Sequence, residues 1–343
     1  MKKSSSFVLL ITLFSFVLAQ QRPAQQQKPA EQPRSWGKWS GVVFSDLMYV
    51  VQEPQPAPLA NKGTAGRNSF DLTRVQLGYE YFFNNEFSTR VLYDPRAGVG
   101  IQEANLTWTN VLPMHALSFG MMRTTAEQTA EKVFGYRSLG PMLFNRNAYA
   151  PEYDAGLTLF GKFDPQGMMN YSFSIANGSG TFPDNDKIKK FALTFGFAPD
   201  RASIIEVYVD YENRSLGRSI INTKLMYGIT SKLFLLGVEG FYRMERKFAG
   251  TKDIVPAGGS LFSWFEFSKG MRAVVRADVV DNDLNSSNAG YREAYVNVGL
   301  DYTPIPEVHF IPNIVYIKQL KKGNSPAIAD EMVARLTAAV YFK

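Results

Sequence analysis

From Trp36 to the end of the chain, apolar and polar residues alternate with a period of two, in segments of about ten residues that read as strands with one apolar face. In Arg74-Val75-Gln76-Leu77-Gly78-Tyr79-Glu80-Tyr81 one face is Val75, Leu77, Tyr79 and Tyr81, and the other is Arg74, Gln76, Gly78 and Glu80. Phe191, Leu193, Phe195 and Phe197 alternate in the same way with Lys190, Ala192, Thr194 and Gly196, and Ile205, Val207, Val209 and Tyr211 with Glu206, Tyr208, Asp210 and Glu212. Later segments repeat it, as in Ala273, Val275, Ala277 and Val279 against Arg272, Val274, Arg276 and Asp278.

The joints between segments alternate in length. Short ones fall at 84–86, 112–115, 164–167, 198–201, 230–232, 268–270 and 303–307, and long ones at 52–69, 94–100, 124–151, 177–186, 213–218, 245–259, 281–290 and 319–330. A soluble sandwich has no reason to obey this rule, whereas a bacterial outer-membrane barrel does, with tight turns at one mouth and long loops at the other. In lipid each unpaired backbone group costs several kcal/mol, so the sheet has to close. The pattern therefore predicts an all-β fold, a transmembrane antiparallel β-barrel of about 16 strands, wide enough for a water-filled lumen lined by the polar face. Among 343 residues there are 26 Phe and 17 Tyr, an excess that interface girdles explain. Trp39, Tyr49, Tyr81, Phe83, Trp108, Tyr227, Tyr242, Trp264 and Tyr302 fall near strand ends, where such girdles sit.

The longest joint, Thr124 to Pro151, is the third of the long loops and the only one with helical character. Thr124-x-x-Glu127 and Thr125-x-x-Gln128 are overlapping capping boxes before Ala130-Glu131-Lys132-Val133-Phe134, Gly140-Pro141 ends the stretch, and Met142, Leu143, Phe144 and Tyr149 give it an apolar surface. A loop this long with its own elements is usually functional, and it is expected to fold inward and narrow the lumen. The residues expected to line the pore or its constriction are Arg74, Glu80, Arg90, Arg123, Glu127, Glu131, Lys132, Arg137, Arg146, Lys162, Arg272 and Arg276. Basic and acidic wall positions are mixed, with Lys190, Lys224 and Arg243 among Asp154, Glu206, Asp210, Glu239, Asp278 and Glu293. Such a balance does not fix the sign of an ion preference, which needs unpaired charge of one sign at the constriction.

Composition narrows the chemistry. With no Cys and two His, His115 and His309, a disulfide scaffold, a thiolate zinc site and a histidine-based centre are poorly supported. Nothing calls for a cofactor, metal or catalytic residue. The Asp281-Asn-Asp283-Leu-Asn285 run lacks the Gly and bidentate Glu of a calcium loop. Met1-Lys2-Lys3, the apolar stretch Phe7 to Leu18 and Val17-x-Ala19 read as a signal peptide over residues 1–19. Residues 20–35 form a Gln/Pro-rich flexible leader, and 36–343 the barrel. The net charge of +6 is too mild to argue for nucleic acid.

A resemblance then emerges. Phe70-Asp-Leu-Thr-Arg74-Val-Gln-Leu-Gly78-Tyr-Glu80, a tight turn, and Phe87-Ser-Thr-Arg90-Val-Leu-Tyr-Asp94 are similar to the second and third strands of the phosphate-selective porins O and P. The blocks from Gln102 to Trp108, Leu117 to Gly120, Glu131 to Leu139 and Ala150 to Gly156 resemble that family's following strands and constriction loop. The resemblance implies a sixteen-stranded outer-membrane porin, commonly a homotrimer, with Arg74, Arg90 and Arg137 at basic positions of the family. The expected function is passive diffusion of small hydrophilic solutes, including anions such as phosphate, with outer-membrane lipid as the surroundings. The alternative is a structural or ligand-binding barrel that passes no current.

Overall fold

The computed structural model describes residues 35–53, 65–96, 100–250 and 252–342; the expected signal peptide and all but the last residue of the expected leader lie outside them. The strands are β1 (Trp36–Gln52), β2 (Asn68–Phe82), β3 (Phe87–Tyr93), β4 (Ile101–Leu112), β5 (His115–Arg123), β6 (Tyr153–Lys162), β7 (Met169–Ala176), β8 (Lys190–Phe197) and β9 (Ser203–Asn213). They continue with β10 (Ser219–Thr230), β11 (Phe234–Ala249), β12 (Lys252–Ile254), β13 (Ala257–Ser268), β14 (Met271–Asp281), β15 (Tyr291–Ile305), β16 (Val308–Lys321) and β17 (Glu331–Phe342).

Each strand pairs antiparallel with its neighbour, and β17 closes the ring on β1 through Gly41↔Phe342 to Gln52↔Met332. The short β12 pairs only with β11, while β11 and β13 pair directly, so sixteen of the seventeen strands form the wall. Closure leaves no free edge, as a sheet surrounded by lipid requires. The long connection expected from residue 245 is shorter than the sequence suggests, because β11 runs on to Ala249 and folds back through β12. The turn expected at 303–307 shrinks likewise, β15 continuing to Ile305.

Side-chain alternation sets the two surfaces. In β10, Leu225 and Tyr227 are exposed on the outer face while Asn222, Lys224 and Met226 are buried on the inner one. Leu193, Val207, Leu261, Val298, Leu300 and Ile314 continue the exposed apolar exterior around the ring. One expected girdle residue departs from it. Trp264 lies on the inner face, packed against a buried cluster, with the Arg272 guanidinium 4.3 Å from its ring centre. Its register explains this: Phe262 on the same face of β13 is fully buried, whereas Leu261 and Phe265 are exposed.

Candidate functional site

The 124–152 connection between β5 and β6 contains α1 (Gln128–Phe134), one 3-10 turn (Arg137–Leu139) and α2 (Leu143–Arg146). Its two ends are tied together where Thr124 N–H donates to the Glu152 carbonyl (2.9 Å) and Thr124 Oγ1 to the Pro151 carbonyl (2.7 Å). The expected capping boxes do not form. Glu127 is the N-cap and makes no side-chain cap bond; its Oε1 accepts instead from Phe144 N–H at 2.7 Å. Thr125 accepts from Thr194 of β8. Tertiary partners have taken the groups that would have capped the helix. The helix stops earlier than Gly140-Pro141, at Gly135, whose φ of 77° favours glycine and whose N–H closes the last turn on Glu131.

Two apolar clusters seat this loop on inner-face residues of the wall. Ala130, Phe134, Tyr136, Leu139 and Met142 pack with Met226, Leu235, Phe262, Val274 and Ile311, and Leu143, Phe144 and Ala150 with Tyr208, Phe241 and Val280. The expectation that the whole inner face lines water is therefore corrected: part of it is a dry core. The loop's carbonyls are met by wall donors, Leu139 by Arg335 (3.1 Å), Tyr149 by Arg243 (2.9 Å) and Pro141 by Arg276. Tyr136 Oη donates to Asp301 at 2.8 Å. Buried carbonyls require such partners, and arginine supplies them over a long reach.

Charged groups gather at two places along the loop. At its foot, Arg74 grips Glu152 through two parallel bonds of 3.0 Å, Arg137 adds a third at 3.0 Å and Arg123 stands 3.7 Å away. Arg123 and Arg137 also share Glu131. Burial pushes the Glu152 carboxyl upward, but the Arg74 bonds and the charges of Arg137, Arg74 and Arg123 outweigh it and hold the pKa at about 2.

At the helix the stoichiometry reverses. Lys224 Nζ lies 3.7 Å from Glu127, 3.5 Å from Glu206 and 3.8 Å from Glu239, and each of these side chains is at most 4% exposed. Burial is the main force on Glu127, reinforced by the charge of Glu239 and opposed by Lys224, and its pKa is pushed up to about 8.

The residues expected at the pore are thus dispersed into separate groups. Arg74, Arg123, Glu131 and Arg137 meet at the foot, and Glu127 sits in the buried knot. Arg146 reaches Glu293 and Asp278 and, with Arg276, lies over the Tyr295 ring. Arg90 pairs with Glu103 (2.8 Å), Glu80 with Lys38 (2.9 Å) and Arg272 with Glu266 (2.9 Å). Lys132 and Lys162 are exposed and have no carboxylate partner among the described residues. Glu152, the hub of the foot, was not among the expected residues, and Lys224, Glu206 and Glu239 read only as wall charges. Glu206 and Glu239 both stand opposite Met226, in register on β9 and β11, a proximity that appears once pairing is known.

Cavities flank the loop. One of about 390 Å³ on the long-connection side is lined by Arg137, Tyr149, Lys190 and Arg243, and one of about 560 Å³ on the short-turn side by Gln128, Lys132, Asn170 and Thr230.

This architecture is that of known porins. The anion-selective porin of Comamonas acidovorans superposes with a TM-score of 0.69 at 10% identity, over 90% of this chain and all (100%) of the other. The outer-membrane channel DcaP of Acinetobacter baumannii gives 0.67 at 13% identity, over 90% and 97%. The outer-membrane protein OmpT of Vibrio cholerae, folded in vitro and solved in a trimer form, gives 0.64 at 11% identity, over 90% and 100%. At such identities the likeness is one of fold. No family model and no curated protein matches the sequence.

The two apolar clusters seat the loop on β9, β10, β11, β13, β14 and β16 and leave the arc from β2 to β5 less covered. Arg74, Arg90, Arg123 and Glu103 belong to that arc, and the Arg90 and Arg123 side chains keep 31% and 28% of their surface exposed. The buried knot, by contrast, belongs to the arc the loop covers.

Proposed function

We propose that the chain is an outer-membrane porin, a passive diffusion channel for small hydrophilic solutes. The observation that carries this reading is a closed barrel with an apolar exterior and a charged interior, crossed by one internal loop that leaves cavities on both of its sides. Residues 1–19 serve as the export signal, and the working unit is a homotrimer in outer-membrane lipid. The constriction is the gap between the loop, with Lys132, Arg137 and Arg146, and the wall positions Arg74, Glu80, Arg90, Arg123, Lys162 and Arg272; Glu127, Glu131 and Arg276, expected there from the sequence, are buried and hold the loop to the wall instead. Extensive ion pairing of those arginines favours modest selectivity over a dedicated phosphate ladder, with small anions, phosphate among them, as accepted solutes.

A second reading, a structural or ligand-binding barrel without conductance, draws on the two apolar clusters that fill part of the lumen. One experiment separates the two: single-channel recording of the purified protein in planar bilayers across a KCl gradient, with and without added phosphate. Stepwise open-channel current is expected. A protein that inserts but passes no ions would overturn the porin reading in favour of the closed barrel.

A further inference from the structure

The lumen cations fall into two unequal sets. Arg74, Arg90, Arg123, Arg137, Arg146, Lys190, Lys224, Arg243, Arg272, Arg276 and Arg335 each stand within ion-pair distance of a carboxylate. A paired charge presents a dipole to a passing ion, and its field falls off much faster than that of a lone charge. Lys132 is the exception within the loop. It stands on α1 between Glu131, which is turned to Arg123 and Arg137, and Val133, which packs on the apolar cluster. It lines the cavity of about 560 Å³ on the short-turn side.

The rest of that cavity is close to neutral. Gln128, Asn170 and Thr230 offer uncharged hydrogen-bonding groups, and its one carboxylate, Glu206, is taken up by Lys224 and Thr129. Lys162, which also has no carboxylate partner among the described residues, is the cross-strand partner of Asn170 at the same end of the barrel. Low-dielectric walls such as Val133, Ile204 and Leu235 focus the field of a lone charge into the enclosed water.

We propose that Lys132 is the residue that sets the sign of the channel's ion preference, by making the short-turn cavity a place where small inorganic anions accumulate, with Lys162 as a weaker contributor at its edge. This rests on the porin reading above. The preference then originates beneath the loop rather than at the paired arginines of the opposite wall.

Reversal potentials in a KCl gradient, with chloride as the probe anion, test it on the full-length protein. The wild-type channel should favour chloride over potassium. Lys132→Gln should lower that permeability ratio on the order of threefold, as expected for one unscreened charge in a narrow aqueous space. Lys132→Glu should reverse the preference, and Lys162→Gln should shift it less. Lys269→Gln, which removes an equal charge from a short turn outside the cavity, should change nothing. Because Lys132 is exposed and unpaired, these variants should keep the wild-type barrel, checked by its heat-dependent gel mobility. A cation-preferring wild type, or a Lys132→Glu channel with unaltered reversal potential, overturns the assignment while leaving the porin reading intact. A wild type without current overturns both.

Discussion

The two charged clusters on the 124–152 loop use the same residue types in opposite proportion and reach opposite ends. At the foot, Arg74, Arg123 and Arg137 surround Glu152, with both carboxylate oxygens bonded. In the knot, Glu127, Glu206 and Glu239 surround Lys224 at 3.5–3.8 Å, out of direct hydrogen-bond range and out of contact with solvent. Burial raises a carboxyl pKa in both places. Multiple close guanidinium bonds overcome it at the foot, whereas one shared ammonium does not in the knot. Excess positive charge can be left half-solvated at the rim of a pore. Excess negative charge under a dry apolar cluster has to be relieved by holding a proton.

Removing the hub of the buried knot should have the largest effect. Lys224→Met leaves three carboxyls facing one another with no cation, and breaking a buried ion cluster in this way costs about 3–5 kcal/mol. The denaturant midpoint of the refolded barrel should fall accordingly, and loop cleavage by added protease should accelerate. A variant as stable as wild type would mean that the carboxyls are already neutral without Lys224.

Glu152→Gln should cost less, about 2 kcal/mol, because the released arginines are partly exposed and water can solvate them. It should also free positive charge at the loop foot and move the reversal potential towards anions. The foot survives acid: a carboxyl lowered from 4.5 to about 2 contributes stability that is full above pH 4.5 and is lost only as pH falls through about 2. Equal midpoints for the variant and wild type at neutral pH would show that Glu152 does not hold the loop.

How far these clusters were legible in the sequence depends on distance along the chain. The barrel follows from local alternation, and Arg74, Val75, Gln76 and Leu77 announce their faces to one another. The joints, too, were local; β11, β15 and β16 run on into the expected turns, where the alternation of strand residues continues, and β8 begins only at Lys190, past the end expected for the joint before it. The clusters were not local. Arg74 and Glu152 are 78 residues apart and Arg146 and Glu293 are 147 apart, so no spacing rule connects them. The dry core left a faint trace, since Met226, Leu235, Phe262, Val274 and Ile311 occupy inner-face positions where neighbours are polar or charged. In any one strand such a residue looks incidental. Only ring closure brings β10, β11, β13, β14 and β16 together around Phe134. The girdle position expected for Trp264 fails for the same reason: its aromatic type is local information, whereas its inward register is set by the partners of β13.

The finest difference between foot and knot is their response to alkali. Glu127 faces Lys224 on β10, Glu206 and Tyr208 on β9, Glu239 on β11 and Glu131 on its own helix. A carboxyl whose pKa rises from 4.5 to about 8 on folding binds more protons in the folded state than in the unfolded state across that interval, so its contribution is fullest below pH 4.5 and declines until about pH 8. The foot stays constant over the same range. Stability measured at pH 5 and at pH 9 should therefore differ by about 1–2 kcal/mol, a modest value because the three carboxyls share the burden of one proton. Glu127→Gln keeps an oxygen for the Phe144 N–H and cannot ionise, so it should flatten this pH dependence with little loss of stability at pH 9. If the variant retains the wild-type slope, the proton resides on Glu206 or Glu239 instead, and the matching Gln substitution at each would identify which carboxyl stays neutral beneath the loop.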